Sequence, residues 1–202
     1  MKKKLMLFYK FGFAALVFAA ILEQIRHLMQ AGIFNPFNFF SFFTVESNIF
    51  GAVLFVASAI ALWRGKTSSI LSYLRGAAAL YMIVTGIVYV SLLAGVEVQT
   101  SVPWVNVVLH YLFPVVALLD WLIDQPRPAV APKRALFWIA FPAAYVGYSL
   151  VRGAVTHWYP YPFVNAAEFG YLHVAVNCAV IAGGVGLLAP LLAWLTLPRR
   201  KR

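Results

Sequence analysis

The chain has 202 residues, of which 63% are hydrophobic and only 11% are charged. This composition is typical of an integral membrane protein and excludes a water-soluble domain built around one buried core. The formal net charge of +10 would indicate a nucleic-acid partner if the basic residues formed a patch on a soluble domain. They lie instead between hydrophobic runs, so we expect membrane lipids and no nucleic acid as partners.

Six hydrophobic runs follow one another, each close to the ~20 residues that an α-helix needs to cross a bilayer. The first run continues past residue 20 without a clear signal-peptidase site, which predicts a retained span. We therefore predict an all-α integral membrane protein, a single domain over residues 1–202 that forms a bundle of six transmembrane helices. The predicted spans cover about residues 8–29, 39–63, 70–95, 104–123, 135–150 and 171–197.

The basic residues indicate how this bundle is oriented. Of the 16 lysines and arginines, 14 lie in four stretches of the same predicted side, from the N-terminus to Lys10, from Arg64 to Arg75, from Arg127 to Arg134 and from Arg199 to the end of the sequence. Only Arg26 and Arg152 lie towards the other side. Because basic residues concentrate on the cytoplasmic side, both termini are predicted to be cytoplasmic, in a multi-pass protein of the cell membrane or of a bacterial inner membrane. Four aromatic residues would then lie at the outer interface: Trp104, Trp158, Tyr159 and Tyr161.

Polar side chains interrupt the first turns of predicted span two. Ser41, Thr44 and Asn48 have i, i+3, i+7 spacing and share one helix face, whereas Glu46 projects from another. Polar groups within a membrane are functional candidates by default. They are also common as a helix cap and as hydrogen-bonding links between helices, and this structural alternative stays open.

Other polar residues are predicted at a similar depth. Thr44 would lie roughly 8 Å below the outer end of span two, at the level of His110 in span four. His110 shares a face with Asn106, and Pro114 cannot donate to the carbonyl of His110, so a kink with a free acceptor is expected there. In span six, His173 shares a face with Asn177. Asp120 and Asp124 are expected near the cytoplasmic surface, too far along span four to reach His110.

Several chemistries could use this outer cluster. A hydroxyl nucleophile with an imidazole base requires Thr44 and His110 within hydrogen-bond reach. A zinc site could draw on His27, His110 and His173 with Glu23 or Glu46, but the spacing lacks a metal-binding motif. A haem pair is disfavoured because the histidines crowd one leaflet. A structural or transport role remains open, and no cofactor or metal is expected.

Two motifs resemble those of the androgen-induced-gene family, which includes bacterial six-pass relatives. They are SFFTVESNI in span two and WVNVVLH, followed by Pro114, in span four, and the loop WYPYPFVN before the last span is also similar. The resemblance implies a membrane threonine hydrolase that cleaves fatty acid esters of hydroxy fatty acids. The family's nucleophilic threonine and essential histidine would correspond to Thr44 and His110.

The sequence thus predicts an intramembrane lipid-ester hydrolase whose substrate comes from the outer leaflet. Thr44 is the expected nucleophile and His110 the expected base. Asn48 and Asn106 are candidates for orienting the histidine or binding the oxyanion. The candidate pocket residues are Tyr89, Trp104, His173 and Asn177. The alternative, a lipid- or ion-binding transporter, would require a polar path that continues through the inner leaflet.

Overall fold

The structure, a computed structural model, describes residues 2–96, 98 and 100–197, so the basic tail at 199–202 lies outside the described residues. Within these described residues, six helices are long and apolar enough to cross a membrane, which confirms the predicted all-α, multi-pass bundle. Spans one to six are Lys3–Gln30, Phe43–Trp63, Ser69–Leu93, Pro103–Ile123, Pro132–Thr156 and Ala166–Leu195.

Four helix ends differ from the predicted spans by four or more residues, and three of them have a local reason. Span one begins at Lys3 rather than at residue 8. Span two begins at Phe43 rather than 39, because Asn35 caps a separate short helix, Pro36–Phe39, and Phe42 is extended. Span five continues past Leu150, since the Arg152 guanidinium donates to Asn38 Oδ1 at 2.7 Å and stacks on the Trp158 ring. Span six begins early because the Asn165 side chain caps it, accepting from the Glu168 amide at 3.3 Å.

Spans two, three and four form the centre of the bundle, and spans one, five and six are far less buried. Span three packs closely against its neighbours because Gly76 has no side chain. A Cβ atom there would lie 2.3 Å from the Trp138 ring of span five and 2.9 Å from the Trp121 ring of span four. Small residues of this kind allow helices to approach one another within a membrane.

The helices alternate in direction, so the bundle has two distinct ends. The loop end holds residues 157–165, the start of span two and the start of span four. The terminal end holds the start of span one, the connection between spans two and three, and the end of span six. By the partition of basic residues, the loop end is predicted to face outwards.

A buried ionic cluster joins spans one, three and four at the terminal end. Lys10 pairs with Asp120 and, at 3.0 Å, with Asp124. Arg75 lies 2.9 Å from Asp120 and 3.0 Å from Asp124. Lys10 is fully buried and Asp120 nearly so. The two aspartates lie at the end of the bundle that their depth along span four predicted, but Asp120 is buried against Lys10 and Arg75 rather than interfacial. Burial is tolerated because each charge is paired.

An apolar layer lies between this cluster and the loop end. It consists of Phe55, Leu80, Met82 and Phe113, all buried. The rings of Phe55 and Phe113 meet edge to face with their centroids 5.1 Å apart. Span two approaches Phe113 so closely at Gly51 that a Cβ atom would lie 2.8 Å from the ring. Polar groups at the two ends are therefore separated by packed side chains.

Candidate active site

Thr44 lies in the first turn of span two, rather than five residues down the helix as predicted. The segment before it is anchored on span five, where Tyr145 donates to the Ser41 carbonyl at 2.9 Å and the Tyr148 hydroxyl lies 2.7 Å from Ser41 Oγ. The first amides of a helix have no intrahelical acceptor. The Thr44 amide uses this freedom to donate to the Tyr161 hydroxyl oxygen at 3.2 Å.

A π-helical turn, Val108–Leu112, presents His110 from span four. At its end the Phe113 amide donates to the Val108 carbonyl, so this hydrogen bond joins residues five positions apart instead of the four positions of an α-helix. Pro114 has no amide hydrogen to donate in this register. Asn48 Nδ2 donates to the Leu109 carbonyl at 3.1 Å, one residue before the carbonyl that was expected to be free.

The predicted catalytic pair is brought together. Thr44 Oγ1 lies 3.3 Å from His110 Nε2, and both side chains are buried. The Tyr161 hydroxyl lies 3.3 Å from the same threonine oxygen. Hydroxyl, imidazole and phenol thus form one continuous hydrogen-bonded chain across spans two and four and the loop before span six.

Tyr161 belongs to this site, although the sequence placed it only at the outer interface. Its ring stacks on Phe163 with centroids 5.2 Å apart and meets the edge of Phe42. Burial raises the pKa of Tyr161 to about 12, so its hydroxyl remains a neutral donor at physiological pH. The WYPYPFVN loop was the available signal, but its side-chain directions cannot be read from spacing.

The His110 ring is held by stacking. Its centroid lies 3.9 Å from that of Tyr89, and the planes differ by 21°. Asn106 Nδ2 donates to the Tyr89 hydroxyl at 2.7 Å, and Thr100 Oγ1 donates to Asn106 Oδ1 at 3.2 Å. Within the described residues His110 Nδ1 has no hydrogen-bond partner. Through its side chain, Asn106 therefore holds the tyrosine ring that stacks on the histidine.

Asn48 joins the backbones that carry Thr44 and His110. Its Nδ2 donates to the Thr44 carbonyl at 2.8 Å and to the Leu109 carbonyl at 3.1 Å. Because both amide hydrogens are engaged, Asn48 holds spans two and four in register and has no free hydrogen for an oxyanion.

Thr44 faces an apolar cavity of about 110 Å³. Span six contacts span five mainly near Pro132–Ile139 and less along the rest of span five. The cavity lies along that second part, and its lining includes the exposed residues Ala143 and Ala182. The cavity is therefore open to the bilayer between these two spans. Other lining side chains are Thr85, Pro142, Tyr145, Tyr161, Phe163, Cys178 and Val185.

The predicted pocket residues lie elsewhere. Tyr89 packs behind His110, and Trp104 is largely exposed on span four. His173 is exposed and stacks on Phe169, whereas Asn177 Nδ2 donates to the Phe163 carbonyl and so supports the loop that carries Tyr161. The cavity was predicted on the wrong face because helix rotation cannot be derived from span order.

The proposed zinc ligands are likewise dispersed. Among the described residues, no three histidine, cysteine, aspartate or glutamate side chains form a group that could hold a metal ion. His27 and His173 are exposed, whereas His110 is buried.

Comparison with protein-family models, curated proteins and solved structures gives no match to this chain.

Proposed function

We propose that this protein is an intramembrane hydrolase of lipid esters, with Thr44 as nucleophile and His110 as general base. The observation that carries the proposal is the 3.3 Å approach of Thr44 Oγ1 to His110 Nε2 beside an apolar cavity. Catalytic hydrogen bonds are often this long without substrate and tighten in the complex. The resemblance of SFFTVESNI and WVNVVLH to the androgen-induced-gene family supports the same assignment.

The reaction proceeds in two halves. His110 Nε2 accepts the Thr44 proton as Oγ1 attacks the ester carbonyl, and the tetrahedral intermediate collapses by breaking the bond to the alkoxide oxygen. The imidazolium returns the proton to that alcohol, which leaves an acyl-threonine. Water, deprotonated by the same nitrogen, then attacks the acyl carbonyl, and the second tetrahedral intermediate collapses by breaking the bond to Thr44 Oγ1. The imidazolium returns the proton to that oxygen, and the fatty acid leaves.

Tyr161 is the proposed oxyanion donor. Its hydroxyl lies beside Thr44 Oγ1 and lines the cavity, so it can turn towards the negative oxygen of the intermediate. A preorganised neutral donor in a water-poor site stabilises such a charge strongly. Tyr89 keeps the imidazole plane aligned by stacking, a task that a carboxylate performs in many hydrolases.

The cavity favours a long-chain substrate. Its lining is almost entirely apolar, and it opens between spans five and six, where an acyl chain can pass directly from the bilayer. Fatty acid esters of hydroxy fatty acids are the proposed substrates. With the loop end outwards, they enter from the outer leaflet of the cell membrane.

The alternative of a transporter finds less support. A path across the bundle would have to pass the apolar layer of Phe55, Leu80, Met82 and Phe113, which is packed among the described residues.

The test is hydrolysis of a long-chain ester of a hydroxy fatty acid by the full chain in lipid nanodiscs. Thr44→Ala and His110→Ala should each lose about 10³-fold or more in kcat, and the double variant should lose little further because the two act as a unit. Thr44→Ser should retain turnover. Ser58→Ala is the matched control, because it removes a buried hydroxyl of the same span that donates to the Phe55 carbonyl at 3.0 Å and does not line the cavity beside Thr44. Full activity of folded Thr44→Ala would overturn the proposal.

A further inference from the structure

A second cavity lies at the terminal end, far from Thr44 and on the other side of the apolar layer. It measures about 400 Å³ and is enclosed by spans two, three and four with the connections that follow spans two and four. This size falls within the range of small-molecule sites. Its polar lining includes Lys66, Thr67, Ser68, Arg75, Asp124 and Arg127.

Positive charge exceeds negative charge in this lining. The Asp124 carboxylate is already neutralised, since it lies 3.0 Å from both Lys10 and Arg75. Neither Lys66 nor Arg127 makes an ion pair with a carboxylate in the part of the chain that the structure describes. The cavity therefore presents two uncompensated cations to whatever occupies it.

The backbone adds to this positive field. The Ser68 side chain caps span three by accepting from the Leu71 amide at 3.3 Å, so the start of this 25-residue helix forms one wall. The first amides of a helix point outwards without intrahelical acceptors and carry the positive end of the helix dipole. Arg75 also lines the cavity, and its buried Nε has no partner among the described residues.

We propose that this cavity binds a phosphate-bearing anion. Phosphate oxygens match the combination of lysine, arginine, hydroxyl and helix-start donors that line it. Leu62 and the exposed Ile123 lie in the same wall, so the site also offers apolar contact at the membrane boundary. Both an anionic phospholipid headgroup and a free phosphate have the required chemistry, and the apolar wall favours the lipid.

The experiment is native mass spectrometry of the purified full chain in neutral detergent. The protein is offered an equimolar mixture of phosphatidylglycerol and phosphatidylcholine with identical acyl chains, with and without millimolar inorganic phosphate. Wild-type protein should retain phosphatidylglycerol preferentially. Lys66→Gln combined with Arg127→Gln should reduce this preference by about 30-fold at low ionic strength, since each cation near a membrane surface contributes roughly a factor of five.

Arg64→Gln combined with Lys133→Gln is the matched control. It removes the same charge from exposed positions of the same end that do not line the cavity, and it should leave the preference unchanged. Displacement of the lipid by phosphate, or retention of phosphate alone, supports the proposal and identifies a free phosphate as an occupant. Equal retention of both lipids without phosphate binding, or an equal loss in the control, would overturn it.

Discussion

The two ends of the bundle bury polar groups in opposite ways. At the loop end, Thr44, His110 and Tyr161 form a chain of neutral hydrogen-bonding groups beside an apolar cavity. At the terminal end, Lys10, Arg75, Asp120 and Asp124 form a network of paired charges. The apolar layer keeps the two regions apart.

This difference suggests that the loop end serves the proposed reaction and that the ionic cluster serves the stability of the bundle. A general base must be able to accept a proton, and an imidazole surrounded by hydroxyl and aromatic groups is free to do so. Paired charges instead fix the geometry of spans one, three and four. Removing one partner leaves the opposite charge buried without compensation, which is strongly destabilising. We therefore expect substitutions at the loop end to change the rate and substitutions in the ionic cluster to change the free energy of unfolding.

The largest effect is expected for Asp120→Asn. Asp120 pairs with both Lys10 and Arg75, so its neutralisation leaves buried cations undercompensated and should lower the free energy of unfolding by about 3–5 kcal/mol. Denaturation in mixed micelles measures this loss. Asp124→Asn should cost less because that carboxylate is partly exposed. An Asp120→Asn protein of unchanged stability but reduced turnover per folded molecule would contradict the assignment of the ionic cluster to stability.

Tyr161→Phe should lower the rate and leave the free energy of unfolding nearly unchanged. The ring and its stacking on Phe163 are kept, but the hydroxyl beside Thr44 is lost. We expect kcat to fall by about 10²-fold, the usual effect of deleting one oxyanion donor, with little change in stability. Steady-state kinetics in nanodiscs, paired with thermal unfolding, separates the two. Tyr159→Phe, a neighbouring tyrosine outside the hydrogen-bonded chain, serves as control, and an equal loss of kcat in both would argue against the assigned role.

Replacement of the stacking partner should give the smallest effect. Tyr89→Leu removes the ring that lies against His110, and we expect kcat to fall by about 3- to 10-fold, in line with the 0.5–1.5 kcal/mol of an aromatic pair. Tyr89→Phe keeps the ring, loses only the bond from Asn106, and should recover most of this rate. If both substitutions were equally harmful, the hydroxyl rather than the stacking would matter.

The sequence predicted the six spans and the approach of Thr44 to His110. Hydropathy defines the spans, and helical depth placed Thr44 and His110 at one level. The Tyr161 contact and the cavity between spans five and six depend on how helices rotate and where a loop folds back, which spacing does not encode. The ionic cluster was missed for a related reason. In the sequence, Lys10 and Arg75 are interpreted as topology signals. Only the packing of spans one, three and four shows that both residues pair with Asp120.

The identity of the nucleophile is the central claim, and covalent trapping tests it most directly. Wild-type protein in nanodiscs is treated with a long-chain alkyl fluorophosphonate, digested and mapped by tandem mass spectrometry. We predict an adduct on Thr44 Oγ that moves to the serine hydroxyl in Thr44→Ser, weakens strongly in His110→Ala and disappears in Thr44→Ala. An adduct at another residue of an active wild-type protein, or labelling that persists unchanged in Thr44→Ala, would contradict the account.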